Sequence, residues 1–151
     1  MTTPNPFFLA SSNATEKFGA HLWTHLPEKA LIFLHGDLGA GKTTLVRGLL
    51  RAAGVIGAIK SPTYALIEEY DIAQRKIFHF DLYRLADSEE LEWIGIDDYL
   101  NQNALCFIEW ASKGVGVLPS PDIEISMSAC DEGRFVQICD ENNLLLNPLR
   151  A

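Results

Sequence analysis

Apolar segments alternate with amphipathic stretches along this chain, and their order predicts an α/β fold. The segments at 31–34, 76–85 and 105–110 predict strands, and the first and last are continuous runs of the kind buried in a parallel sheet. The stretches 12–26 and 42–53 place apolar residues at helical spacing and predict helices. This alternation predicts a three-layer arrangement, with a mainly parallel central sheet between helices.

Towards the C-terminus the apolar positions recur at every second residue. Residues 123–130 and 135–140 alternate in this way on the two sides of the tetrapeptide DEGR, which predicts an antiparallel hairpin. An extended segment is expected around 65–70, and two short acidic helices at 87–95 and 96–100. The predicted fold class is therefore a parallel α/β core followed by an antiparallel C-terminal hairpin.

The ends of the two longer helices carry residues suited to capping. Ser12 or Asn13 is expected to cap the first helix, because a short polar side chain can accept hydrogen bonds from free amides. Gly54 is expected to end the second helix, since glycine readily adopts the left-handed conformation of a C-cap.

The composition fits a folded protein and argues against a nucleic-acid-binding face. Hydrophobic residues make up 48% of the 151 residues, so one domain over residues 1–151 is expected. The formal net charge of −8, without a cluster of Lys or Arg, would repel phosphate chains. Any role on a nucleic acid is therefore expected to act through a protein partner.

Two further sequence features bear on the compartment. The chain has neither a long apolar stretch nor a basic, signal-like start, so a cytoplasmic location is expected. Its cysteines, at 106, 130 and 139, lack C-x-x-C spacing. In a hairpin that turns through DEGR, Cys130 would face residue 135 and Cys139 would face residue 126. Reduced thiols are therefore expected.

A phosphate-binding signature joins the first predicted strand to the second predicted helix. Gly36, Gly41, Lys42 and Thr43 match the pattern G-x-x-x-x-G-K-[ST]. Glycines allow the backbone amides of such a loop to surround phosphate groups. Lys42 is predicted to reach the outer phosphates, and the Thr43 hydroxyl is placed to bind Mg²⁺.

Two acidic residues end predicted strands, where α/β proteins bind their ligands. Asp81 follows IFHF and Glu109 follows LCFI, and either carboxylate could support Mg²⁺ on a nucleoside triphosphate. Thr63, in the loop SPT, could meet the terminal phosphate as switch loops do. His79 is interpreted as a strand residue without a metal-binding role.

Five segments, taken in order, closely resemble the TsaE family, formerly called YjeE. They are GDLGAGKTT (36–44), KSPTY (60–64), HFDLYRL (79–85), EELEWIGIDDYL (89–100) and IEW (108–110). The resemblance implies a P-loop NTPase-like fold and an Mg²⁺-dependent ATPase of tRNA threonylcarbamoyladenosine synthesis. It also implies partners of the TsaD–TsaB type and a target at adenosine 37 of tRNAs that read ANN codons.

The same resemblance assigns roles to individual residues. Catalytic roles fall on Thr63, Asp81 and Glu109, and the metal site on Thr43 and Glu109. Nucleotide contacts fall on Ser12, Thr15, Asp37, Gly39, Ala40, Gly41, Lys42, Thr43, Thr44 and Arg134.

Two other functions are compatible with a phosphate-binding loop. A GTP-dependent switch would need an N-K-x-D motif for the base, and the sequence contains none. A small-molecule kinase commonly carries an arginine-rich lid, whereas the arginines here are scattered. An ATPase subunit of a tRNA-modifying complex is the leading interpretation.

Overall fold

The computed structural model describes residues 6–140 and 144, so the ends of the predicted domain lie outside the described part. The predicted succession of strands and helices is present within it. In chain order the elements are β1 (Phe7–Leu9), α1 (Ser12–Trp23), β2 (Ala30–His35), α2 (Lys42–Ala53), β3 (Ile67–Ile72), β4 (Arg75–Asp81), α3 (Glu89–Trp93), α4 (Ile96–Leu100), β5 (Ala104–Glu109), one 3₁₀ turn (Ala111–Gly114), β6 (Ile123–Cys130) and β7 (Gly133–Cys139).

The strands within the described residues form one seven-stranded sheet in the order β1-β7-β6-β2-β5-β4-β3. Strands β6, β2, β5 and β4 run parallel to one another, and antiparallel pairs complete both edges. The predicted parallel core and the C-terminal hairpin β6–β7 are both confirmed. The carboxyl ends of β2, β4 and β5 consequently lie at the same edge of the sheet.

Helices cover the sheet on two faces, each with its own apolar core. Helices α1 and α2 pack on one face, over residues of β2, β5 and β6, and α3 and α4 contribute to a second core on the opposite face. Gly19 and Gly48 let the backbones of α1 and α2 approach closely, because a Cβ on either residue would collide with the facing helix. The helix that follows the phosphate-binding loop is thereby packed closely against α1.

Helix α1 begins at Ser12, where the predicted stretch begins, but its cap lies earlier than expected and it ends before residue 26. Its N-cap is Ser11, not Ser12 or Asn13, since the extended Ser11 accepts a 3.1 Å hydrogen bond from the Ala14 amide. The amides of Thr24 and His25 bond to carbonyls three residues back, so the helix tightens and stops before Pro27. Helix α2 matches its prediction, with Gly54 as the left-handed C-cap.

Strand β4 ends at Asp81 and does not run on to residue 85. The carboxylate of Asp81 accepts a 2.9 Å hydrogen bond from the amide of Tyr83, and Leu85 bonds back to the carbonyl of Leu82. This local turn replaces the ladder and leaves the Asp81 side chain at the end of the strand.

The hairpin is tighter than the sequence suggested, because Cys130 pairs with Gly133 across a two-residue loop. Cys139 therefore lies opposite Glu124, and Cys106 and Cys130 carry free thiols, as expected. Strand β1, which was not predicted, pairs with β7. Its three residues are too few to show an alternating pattern. No helix in the described residues is long and apolar enough to cross a membrane.

Candidate nucleotide-binding site

The phosphate-binding loop connects β2 to α2 through glycines in left-handed conformations. Gly36, Gly39 and Gly41 have φ values of 150°, 82° and 103°. At Gly36 a Cβ would also lie 2.6 Å from the carbonyl oxygen of Met127, so a larger residue cannot be accommodated there without a backbone shift. Gly41 is the N-cap of α2 and has no side chain that could bond to the helix. The first amides of the helix are therefore available to an anion.

Lys42 lies at the start of α2 with its side chain only 5% exposed. Its ammonium donates a hydrogen bond to the carbonyl of Gly36 and lies 3.6 Å from Oε1 of Glu109. It also lies 4.5 Å from the centroid of the Trp110 ring, which is a cation–π distance. The positive charge is thus enclosed between the loop, the end of β5 and an indole ring.

The register of the sheet brings the two predicted acids together. Asp81 of β4 lies directly opposite Glu109 of the parallel strand β5. On its other side, Glu109 lies opposite Leu34 of β2. Both acidic residues are buried. Side chains of directly opposed strand residues point to the same face of a sheet. The predicted catalytic carboxylates are therefore neighbours, and one of them lies beside Lys42.

Asp81 is held by two donors and connects the site to the predicted switch loop. The Thr63 hydroxyl donates to Oδ2 at 3.0 Å, and the Tyr83 amide donates to Oδ1. Ser61 and Thr63 hydroxyls lie 2.8 Å apart. The loop that carries the SPT sequence thus contacts the acid at the end of β4, although the two are separated by eighteen positions in the chain.

Glu109 has a partner that the sequence reasoning did not identify. His79 Nε2 lies 2.6 Å from Glu109 Oε2, and the histidine is 1% exposed. His79 is a strand residue, as predicted, but it shares the face of β4 that carries Asp81. The alternation of side chains along the strand indicated this shared face, since positions 79 and 81 point the same way, but not the contact with Glu109.

Trp110 does more than pack in the core. It follows Glu109 with a φ of 58°, which is uncommon for a bulky residue. Its ring lies under Lys42 and 5.0 Å from the ring of Tyr83. This backbone conformation turns the chain sharply at the end of β5 and places an aromatic ring at the edge of the site.

A polar cleft of about 250 Å³ opens on the other side of the loop. It is lined by the start of α1, the start of α2 and the turn of the β6–β7 hairpin. Predicted nucleotide-binding residues line it, namely Ser12, Thr15, Gly41, Thr44 and Arg134. Arg134 spans to the loop, where its guanidinium donates a 3.0 Å hydrogen bond to the carbonyl of Gly39.

The remaining predicted residues occupy the loop and its rim. Thr43 lies in the first turn of α2, half-buried next to Lys42, and Ala40 is buried. Asp37 is exposed, and its carbonyl accepts a 3.0 Å hydrogen bond from the Ala40 amide. The hydroxyl of the buried Thr15 donates to the Ser11 carbonyl, so it also stabilises α1.

Side-chain oxygen atoms of the loop and of the adjoining strand ends are chemically suited to Mg²⁺. Nothing among the described residues forms a group of three or more His, Cys, Asp or Glu side chains that could hold a metal alone. Mg²⁺ on nucleotides is usually held by one or two protein oxygens together with phosphates and water. The hydroxyl of Thr43 and the buried carboxylates of Asp81 and Glu109 fit such a site.

The fold and this site define the chain as a P-loop α/β protein with a nucleotide-binding edge. The family profile described as "Threonylcarbamoyl adenosine biosynthesis protein TsaE" matches residues 9–136. The chain belongs to the TsaE family.

Individual relatives agree with this assignment. The tRNA threonylcarbamoyladenosine biosynthesis protein TsaE of Haemophilus influenzae is 50% identical over 127 residues, which cover 84% of this chain and 80% of the relative. Its namesake from Synechocystis is 42% identical over 71% of this chain and 70% of the relative. The crystal structure of Bacillus subtilis YdiB has the same fold, with a TM-score of 0.75, 24% identity, and coverage of 91% of this chain and 86% of that one.

Proposed function

We propose that this chain is an Mg²⁺-dependent ATPase, folded as one P-loop domain, that serves tRNA threonylcarbamoyladenosine synthesis. One observation carries the proposal. The in-register pair Asp81 and Glu109 lies at the carboxyl ends of β4 and β5, with Glu109 3.6 Å from the lysine of the phosphate-binding loop. Phosphoryl transfer depends mainly on positioning and on electrostatic stabilisation, and such a site supplies both.

Each residue of the loop has a task in this reaction. The amides after Gly36 and at the start of α2 bind the phosphates, and Lys42 compensates the charge of the outer ones. Thr43 and Glu109 would hold Mg²⁺, which when bound neutralises phosphate charge and orients the phosphate oxygens. The enclosure of Lys42 strengthens its attraction to phosphate, because charges interact more strongly away from water.

Asp81 and Thr63 would act on the water that attacks the terminal phosphate. Asp81 accepts from Thr63 and from the Tyr83 amide, so its carboxylate is fixed in direction. A fixed carboxylate can orient a water molecule and accept its proton. Thr63 lies in the loop that would sense the terminal phosphate, and its hydroxyl would connect this loop to Asp81.

The place of the reaction in tRNA modification follows from family membership. Relatives that share 50% and 42% identity are tRNA threonylcarbamoyladenosine biosynthesis proteins. We infer that this chain acts in the cytoplasm with a TsaD–TsaB-type pair on adenosine 37 of tRNAs that read ANN codons. With a net charge of −8, it is expected to reach the tRNA only through those partners.

The test compares nucleotides, metal and partners. Hydrolysis of ATP without an acceptor, lost when Mg²⁺ is removed and faster when the partner pair is added, would support the proposal. A preference for GTP in stabilisation and turnover would favour the switch. Phosphate transfer to a small molecule, without hydrolysis in its absence, would favour a kinase.

A further inference from the structure

A buried histidine lies next to the proposed catalytic acids, although the proposed reaction assigns it no role. His79 Nε2 lies 2.6 Å from Oε2 of Glu109. Because an ionised carboxylate has no hydrogen to donate, Nε2 carries the proton and donates it. Both residues are almost completely buried, at 1% and 3% exposure, so water does not compete for this hydrogen bond.

The neighbours of His79 along β4 and directly across on β5 are apolar. Ile77, two positions earlier on the same face, packs in the apolar core, as does Phe107, the direct partner of His79 on β5. The second ring nitrogen, Nδ1, is buried and has no hydrogen-bond partner among the described residues. Burying an unpaired polar atom is unfavourable. The hydrogen bond to Glu109 is therefore the specific contribution that an imidazole makes here.

The sheet register explains how this contact forms. His79 lies opposite Phe107, and Glu109 lies opposite Asp81. The first pair precedes the second by two positions along the strands, so His79 contacts Glu109 diagonally. Diagonal neighbours on one face are within reach of long and aromatic side chains. The imidazole binds Oε2 of Glu109, and the other oxygen, Oε1, lies 3.6 Å from the ammonium of Lys42.

We propose that His79 is a positioning residue for Glu109 in the hydrolysis of Mg²⁺–ATP. This inference rests on the proposed function of the site. The imidazole fixes the direction of the carboxylate, so that Oε1 stays presented at the phosphate-binding loop. It also occupies the oxygen that would otherwise be free to form a second contact with Lys42. Hydrogen bonds of this kind commonly set the orientation of carboxylates that bind metals.

The test replaces the imidazole with residues that keep or remove its donor. In His79→Gln the amide nitrogen can donate from about the position of Nε2, whereas His79→Leu has no donor. Mg²⁺ affinity would be measured by calorimetry with a non-hydrolysable ATP analogue, and the Mg²⁺ dependence of ATP turnover would be measured in parallel. His79→Leu should weaken Mg²⁺ binding by roughly 10- to 100-fold, and His79→Gln should retain most of it. Affinity for the analogue without Mg²⁺ should not change.

Two controls separate positioning from packing. Phe107→Leu perturbs the core directly opposite His79 but removes no donor, so it should lower thermal stability and leave the Mg²⁺ dependence unchanged. Adding His79→Leu to Glu109→Ala should have no further effect on Mg²⁺ binding, because a residue that acts through Glu109 has nothing left to orient. Additive losses in this double variant would overturn the inference.

The remaining outcomes are equally decisive. A folded His79→Leu protein with wild-type Mg²⁺ affinity would show that the contact is only structural. If His79→Leu does not fold, His79→Asn replaces it, since its shorter side chain places the donor away from the carboxylate. Equal Mg²⁺ affinity in the Gln and Asn variants would then refute the proposal. A wild-type protein without ATP turnover would overturn the proposed function, while the calorimetric comparison would still test the orientation of Glu109.

Discussion

The two sides of the phosphate-binding loop are built in different ways. On one side, His79, Asp81 and Glu109 are buried and come from neighbouring parallel strands, so the ladder of the sheet sets their spacing. On the other side, the cleft with Ser12 and Arg134 is formed by a helix start and a hairpin turn. The first region is positioned by the core and the second by surface segments.

This difference indicates a division of labour. Side chains that are locked by packing and hydrogen bonds suit the reacting phosphate, where small displacements are costly to the rate. A polar cleft with exposed walls suits the recognition of the remainder of a nucleotide, where each contact contributes modestly. Changes in Asp81 and Glu109, the acid cluster, should therefore reduce turnover. Changes in the cleft should mainly reduce the affinity for nucleotide.

Lys42, which lies between the two regions, should give the largest effect. In Lys42→Ala both nucleotide affinity and hydrolysis should fall, because in the proposed reaction the ammonium compensates phosphate charge in the ground state and the transition state. Loss of a charge-assisted contact costs about 1.5–3 kcal/mol, which corresponds to roughly 10- to 100-fold in affinity. Calorimetry with ATP measures the first quantity and phosphate release measures the second. Unchanged ATP affinity would contradict the assignment of the loop.

The acid cluster should respond in turnover more than in binding. Asp81→Asn keeps the size of the side chain but removes its charge, so hydrolysis should fall by roughly 10²–10⁴-fold, the usual contribution of a general base, with little change in ATP affinity. Glu109→Gln should instead raise the Mg²⁺ concentration needed for half-maximal rate. Steady-state kinetics at several Mg²⁺ concentrations distinguishes the two. An Asp81→Asn protein with full turnover would remove that residue from the reaction.

The cleft should show the opposite pattern. Arg134→Ala removes a cation that spans to the carbonyl of Gly39, so ATP affinity should fall by up to about 10-fold, less than for a buried charge contact. The maximal rate at saturating ATP should be nearly normal. Arg51→Ala is a matched control, because Arg51 lies exposed at the far end of α2. Equal effects of the two substitutions on KM would show that Arg134 has no specific contact with nucleotide.

The smallest effect is expected on the opposite face of β5, at Cys106. Burial raises the pKa of its thiol to about 12, from the ordinary value of 9.0. Since the folded pKa lies above the unfolded one, the folded state favours the neutral thiol. The contribution of this thiol to the free energy of unfolding is therefore fully present below pH 9 and is lost as the pH rises towards 12. At pH 8 iodoacetamide should modify Cys106 only after unfolding, which mass spectrometry can measure. Rapid modification in the folded protein would show that this face opens more readily than the packing indicates.

Much of the fold and half of the site could be predicted from local patterns. The glycines and Lys42 of the loop, the helix that follows and the acids that end two strands are each encoded by neighbouring residues. A strand–loop–helix unit is short in sequence, and its backbone requirements are strict. The cap of α1 was misplaced and the three-residue strand β1 was missed, because a hydrogen bond accepted by Ser11 decides the first and pairing with β7 decides the second.

The sequence by itself determined which chemical groups this protein carries and on which elements they lie. Only the tertiary structure decided which of them meet. His79 is separated from Glu109 by thirty positions, and Arg134 from Gly39 by ninety-five. No local pattern encodes such contacts, since they depend on strand order and register, which are set by the packing of the whole sheet. For His79 the consequence is the largest, because a residue that resembles an ordinary strand histidine in the sequence becomes, in the folded chain, the hydrogen-bond donor that orients a predicted catalytic acid.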